Sequence, residues 1–184
     1  MLSSDYYYTM PNLISSEERA ELLRLAKQNN YVPLIKMVEH FEGEILDVVK
    51  KLPNNYFGSL HLASLFNTTD EMILDIVKRY SHFEPMGICF LYIPSNVVVE
   101  KHTDPSGVRP NALSIPLSDD LAGTYFYENM DADEPAFYCT YTEPTLLNVQ
   151  KPHSITNNDQ DRYVFQIVFN ESYENIRDFY KNSA

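Results

Sequence analysis

Between residues 86 and 169 the chain is written in short β-rich runs separated by turn residues, and no other feature limits its fold so tightly. The runs fall at 86 to 93, 97 to 102, 110 to 117, 123 to 128, 135 to 141, 145 to 149, 153 to 156 and 162 to 169. Strands this short cannot bury their apolar sides alone. Following a helical beginning, they predict a two-sheet barrel with helices bracing one side.

The beginning reads as helix. Ser15-Ser16-Glu17-Glu18 is an N-terminal capping signal, and Leu22, Leu23, Leu25 and Ala26 supply an apolar face for a helix near 16 to 29. Pro33 can open a second helix, in which Leu34, Met37, Val38, Phe41, Ile45, Val48, Val49 and Leu52 recur at helical spacing until Pro53. A third starts at Thr68 or Thr69, with Thr68 and Glu71 at capping-box spacing. A closing helix is predicted from Ser172 to Tyr180. The 184 residues suit one domain: a mainly helical front over 1–85, a β core over 86–170 and a C-terminal helix over 171–184.

Net charge is −12, which opposes tracking along a phosphate backbone and argues against nucleic-acid substrates. No apolar run approaches the roughly 18 residues of a membrane helix, and Met1 to Leu13 lacks the pattern of a signal peptide, so a cytoplasmic protein without a membrane partner is expected. Cys89 and Cys139 sit in apolar or aromatic runs and read as buried thiols. The sequence sets no oligomeric state.

Within the β region, His102 and Asp104 are two residues apart, so an extended backbone points both to one side. His153 follows 51 residues after His102 and must return in space, as a barrel or double sheet allows. Two imidazoles and one carboxylate on one side of an ion leave the opposite positions open, the arrangement of oxygen-activating non-haem Fe(II), with zinc as the rival metal. Between Lys101 and Lys151 the only cation is Arg109, and nine residues past His153 stands Arg162 in a better strand context. Alternation from Arg162 puts Val164, Gln166 and Val168 on its face and Tyr163, Phe165, Ile167 and Phe169 on the other.

Leu91-Tyr92-Ile93-Pro94, Lys101-His102-Thr103-Asp104-Pro105, Leu113-Ser114-Ile115-Pro116-Leu117, Pro152-His153-Ser154-Ile155-Thr156-Asn157 and Arg162-Tyr163-Val164-Phe165-Gln166-Ile167 together resemble the 2-oxoglutarate and Fe(II)-dependent oxygenases. The resemblance implies an α+β fold, a double-stranded β-helix or jelly roll with N-terminal supporting helices. It implies His102, Asp104 and His153 as the catalytic iron ligands, Arg162 on the far carboxylate of 2-oxoglutarate, and O2 as co-reactant. A guanidinium offers carboxylate a fixed bidentate fork, which suits that role for Arg162. Tyr92, ten residues before His102 in a Tyr-x-Pro context like that of prolyl-hydroxylase-like members, would donate its hydroxyl to the cosubstrate, and Asn111 would face the same ligand.

The retained Asp104 implies hydroxylation rather than halogenation. Peptidyl Pro or Asp/Asn is the leading substrate, although collagen-type prolyl hydroxylases carry Lys where Arg162 stands, and aspartyl/asparaginyl hydroxylases often carry Gly where Asp104 stands. A free amino acid or small metabolite is the alternative, and a cupin-like metal protein that uses no 2-oxoglutarate is another. Asn148 and Asn157 read as turn or supporting residues, and His40, His61 and His82 as structural or exposed. Tyr6-Tyr7-Tyr8 and Tyr125-Phe126-Tyr127 could line a substrate groove but read first as core and rim.

Overall fold

The computed structural model of the chain describes residues 2–33, 60–105, 107–119, 123–140 and 142–183. All eight expected strands are present: β4 (Pro85–Ile93), β5 (Val98–His102), β6 (Ala112–Pro116), β7 (Thr124–Phe126), β8 (Phe137–Cys139), β9 (Thr145–Leu147), β10 (His153–Thr156) and β11 (Arg162–Phe169). The front adds three strands that the sequence did not suggest: β1 (Tyr7–Thr9), β2 (Val32–Pro33) and β3 (His61–Ser64). They extend a seven-stranded sheet in the order β1-β9-β6-β11-β4-β3-β2, and β5-β10-β7-β8 form a second sheet. The strand pairs in both sheets are antiparallel.

β11 is the centre of the large sheet, paired with β4 along its length and with β6 over Val164 to Ile167. Its side chains alternate between two environments, as the pleat requires. Phe165, Ile167 and Phe169 join Phe90, Leu113, Ile115 and Leu146 in a core shared with three helices, α1 (Ser16–Gln28), α2 (Glu71–Tyr80) and α3 (Tyr173–Ser183). These contribute Leu22 and Ala26, Ile73, Ile76, Val77 and Tyr80, and Tyr173, Ile176 and Tyr180. Each such burial is worth about 1.5–3 kcal/mol, and this layer anchors the sheet. The opposite face carries Arg162, Val164 and Gln166 and looks toward the small sheet. There Leu91, Ile93 and Val164 meet Val99 of β5, while Ala112 and Leu147 meet Phe126 and Cys139.

Local chemistry sets the helix ends. Ser15 Oγ accepts from Glu18 N and the Glu18 carboxylate accepts from Ser15 N, closing the expected box at the start of α1. At α2 the cap is Asp70 rather than Thr68. Asp70 Oδ1 accepts from Ile73 N at 3.1 Å, while the Thr68 hydroxyl accepts from Asp70 N and shapes the turn leading in. Arg79 on α2 donates to both Glu18 oxygens and to Leu13 O, which ties the two helices together. The second helix expected from Pro33 to Leu52, with His40 on it, lies outside the described residues apart from Pro33, which is in β2. Among the described residues no helix is long and apolar enough to cross a membrane.

Candidate metal centre

β5 does not alternate regularly. The pairing with β10 shifts between His153↔His102 and Ile155↔Val99, so three residues of β5 span two of β10. This irregularity turns both Val99 and His102 inward, to 0% and 2% exposure, and leaves Val98 at 54%. It also sets His102 directly opposite His153 across the ladder, with ring centroids 4.3 Å apart. Asp104 stands two residues beyond the strand, and its N–H donates to Val149 O at 2.9 Å, binding this loop to the segment that leads into β10.

The three side chains offer ligand atoms that all lie within 4.8 Å of one another, and all three residues are buried. Each imidazole has its Nδ1 2.7–2.9 Å from the carbonyl two residues earlier, His102 from Glu100 O and His153 from Lys151 O. Donation from Nδ1 fixes the tautomer and leaves each Nε2 lone pair for an ion. Burial, followed by the neighbouring charge of His102, pushes His153 down to about 4, which keeps it neutral as a ligand must be. For Asp104 burial works upward, but the Arg109 guanidinium beside it prevails, holding its carboxyl well below the usual range. Two imidazole nitrogens and one carboxylate oxygen form a donor set suited to a divalent metal.

Two cations lie on the interior side. Arg109 Nη1 is 3.0 Å from Asp104 Oδ2, and its Nη2 donates to Gln166 Oε1 at 2.8 Å. Gln150 Nε2 donates to the carbonyls of both Asp104 and Arg109. Arg162, 2% exposed, begins the inner face of β11, and its charge tempers the rise that burial gives the Cys139 thiol. Between the sheets His102, His153, Arg109 and Gln166 border a narrow cavity of about 20 Å³, walled by Leu91, Ile93, Thr124, Leu147, Val149 and Ile155. The Thr124 hydroxyl, on a residue 1% exposed, has no hydrogen-bond partner among the described residues.

No protein-family model matches the chain, and no curated protein matches its sequence. Solved structures do match it. A prolyl-4-hydroxylase from Pseudomonas putida superposes with a TM-score of 0.59 at 10% identity, over 89% of this chain and 91% of that one. A Trichoplax adhaerens prolyl hydroxylase, in complex with a hypoxia inducible factor oxygen degradation domain peptide fragment, gives 0.55 at 11%, over 97% and 88%. An oxidoreductase of the 2OG-Fe(II) oxygenase family from Burkholderia pseudomallei gives 0.54 at 10%, over 91% and 85%.

The fold is that of the 2-oxoglutarate/Fe(II) oxygenases. Within this oxygenase fold two expected cosubstrate residues fall elsewhere. Tyr92 pairs with Tyr163 across the ladder, so it occupies the outer face, where its ring lies 5.1 Å from Tyr163, 5.4 Å from Tyr31 and 5.6 Å from His61. Leu91 and Ile93 beside it face the cavity, and alternation keeps the Tyr92 hydroxyl out of it. Asn111 is fully buried with its amide committed to backbone. Nδ2 donates to Phe169 O and Glu171 O, and Oδ1 accepts from Phe169 N, closing the end of β11 onto the start of β6.

Asn157 serves a turn, donating to Ile93 O, Pro94 O and Gln160 O, and Asn148 donates to Asp5 O. Tyr6 is core, and Tyr125 stacks on Tyr138 at 4.3 Å while Phe126 faces inward near His153. His82 packs on Phe179, and both cysteines are free thiols, Cys89 pushed up to about 11 and Cys139 to about 12 by burial. Gln150 and Thr124 stand at the site without a signal in the sequence. Strand alternation puts Gln166 on the inner face without giving it a role, and the better strand context of Arg162 leaves the contact of Arg109 with Asp104 without a sequence signal. Nothing local to Gln150 signals its position, because its role depends on a turn that brings its amide to the carbonyls of Asp104 and Arg109.

Proposed function

We propose that the chain is a 2-oxoglutarate- and Fe(II)-dependent dioxygenase of jelly-roll architecture that hydroxylates a peptidyl residue, Pro or Asp/Asn. The observation that carries the reading is the buried cluster of His102, Asp104 and His153, with both Nδ1 atoms tied back to backbone carbonyls. The strand order β9-β6-β11-β4 facing β5-β10-β7-β8 supports the jelly roll, with successive strands from β4 to β11 crossing between the sheets except at the β7–β8 hairpin. The prolyl hydroxylases among the similar folds support a peptidyl substrate.

In this reading His102 Nε2, His153 Nε2 and an Asp104 oxygen would hold the metal, leaving its remaining positions to small ligands. Fe(II) bound there supplies oxygen activation coupled to the decarboxylation of 2-oxoglutarate. Arg162 orients the cosubstrate by a bidentate grip on its far carboxylate, and burial strengthens that grip because competing water is excluded. The Thr124 hydroxyl is placed to donate to a ligand oxygen in the cavity. Leu91, Ile93, Val149 and Ile155 keep water from the reacting centre. The cavity has room for about one water, so cosubstrate entry parts these walls.

Coupled turnover tests the function. The Fe(II)-loaded chain with 2-oxoglutarate is expected to release succinate, and Pro-, Asp- or Asn-containing peptides to raise the rate with one oxygen atom gained by the peptide. Stimulation by free amino acids but by no peptide would replace the peptidyl assignment, and absence of succinate under every condition would sink the enzyme assignment.

A further inference from the structure

We propose that Arg109 is the positioning residue that keeps Asp104 a one-oxygen ligand, and so sets how many coordination positions the metal leaves to its small ligands; this rests on the metal-site reading above. The two oxygens of Asp104 are divided between partners. Oδ1 faces His102 Nε2 at 3.5 Å, on the side of the ligand cluster, and Oδ2 is held 3.0 Å from Arg109 Nη1. The Asp104 side chain is 0% exposed, so water cannot occupy Oδ2 in place of the guanidinium. A buried carboxylate deprived of a partner on one oxygen turns that oxygen toward the nearest cation, which in a loaded site is the metal. Chelation through both oxygens would then take a position that the cosubstrate or oxygen needs.

Arg109 is itself held from several directions. Its Nη2 donates to Gln166 Oε1 at 2.8 Å, and Gln166 is anchored through Nε2 to Ser114 Oγ at 2.9 Å. Its backbone N–H donates to Pro105 O at 2.8 Å, and its carbonyl accepts from Gln150 Nε2 at 2.9 Å. The same Gln150 amide reaches Asp104 O at 3.1 Å, so the metal carboxylate and the arm that closes on it share one clamp. A planar fork is suited to this bridge, because one guanidinium edge meets the carboxylate while another meets the amide of the central strand. Gln166 and Gln150 therefore act through Arg109, and Arg109 acts through Asp104.

The test uses Mn(II) as the probe on the full chain, with water-proton relaxation reporting the exchangeable waters on bound metal and electron paramagnetic resonance reporting free Mn(II). Arg109→Ala is expected to bind Mn(II) with a relaxation enhancement lower by roughly one third, as one of about three waters is lost to Asp104. Arg109→Lys, whose ammonium can still hold Oδ2, should restore the wild-type value. Gln166→Leu, which removes only the far anchor of Arg109, should give a smaller fall of the same sign. An unchanged enhancement in Arg109→Ala with metal bound overturns the proposal. If Arg109→Ala folds but binds no Mn(II), recovery of binding and water count in Arg109→Lys supports it and failure to recover overturns it. If Arg109→Ala does not fold, Gln166→Leu decides, and an unchanged value there overturns it. Wild type that binds neither Mn(II) nor Co(II) removes the metal-site reading itself, a failure distinct from a variant that keeps its waters.

Discussion

His153 is the residue that joins two parts of the chain distant in sequence into one site, since it is the direct cross-strand partner of His102 and lies within ligand reach of Asp104. Its replacement by Ala should cost more metal affinity than loss of a supporting residue, for which roughly 10- to 100-fold is typical; titration with Co(II), followed by its absorption, checks this. Arg162→Ala should leave metal affinity nearly intact while raising the 2-oxoglutarate concentration needed for half-maximal turnover by roughly 10- to 100-fold, the value of a charged hydrogen bond. At this scale the sequence was informative where chemistry is local. The clustering of His102 and Asp104 was legible from residue type and spacing, and the inward face of Arg162 from strand alternation. Tyr92 was misplaced because its distance from His102 does not state which face it occupies. That face is fixed by pairing with Tyr163 on β11. Arg109 was undervalued because its contact with Asp104 arises from a turn, through its N–H to Pro105 O, that strand alternation does not describe.

Among the elements, the tight approach of β7 and β8 depends on Gly123. A Cβ there would lie 2.2 Å from Cys139 O, and a backbone carbonyl cannot give way as a flexible side chain can. Gly123→Ala should therefore destabilise the fold by about 1–3 kcal/mol, read from urea unfolding, and an unchanged midpoint would contradict the packing described. The α1–α2 junction carries a pH signature. The hydrogen bond from Arg79, then that from Ser15 N–H, holds Glu18 down to about 2, below the roughly 4.3 of an unfolded chain. A depressed carboxyl stabilises the fold above its unfolded value and loses that contribution as pH falls through the folded one. Glu18→Gln should accordingly lower the melting temperature at neutral pH, with the difference shrinking toward pH 2. The strands 85–93 to 162–169 were legible because each carries its own β-rich run between turns. β1, β2 and β3 were not, since two to four residues hold no period and their extended form is imposed by the neighbouring strand, β9 for β1, β4 for β3 and β3 for β2.

Over the whole molecule, two sheets present their inner faces to a common cavity while the helices close the back of the large sheet. That division was foreseeable from β11, whose even and odd positions differ in polarity. The irregularity in β5 that aims His102 was not, because it exists only in the register with β10. A metal held between a loop, both sheets and the central strand would couple its binding to global stability. Saturating Co(II), at roughly 100 times its dissociation constant, should add about 2.7 kcal/mol, and a chelator should reverse the rise in melting temperature. The proposed function requires that this cavity hold Fe(II) and 2-oxoglutarate together. Anaerobic addition of both to the wild-type chain should produce a visible charge-transfer band that His153→Ala loses and Arg162→Ala forms only at higher 2-oxoglutarate; no band in the wild type, or an unchanged band in both variants, would contradict it.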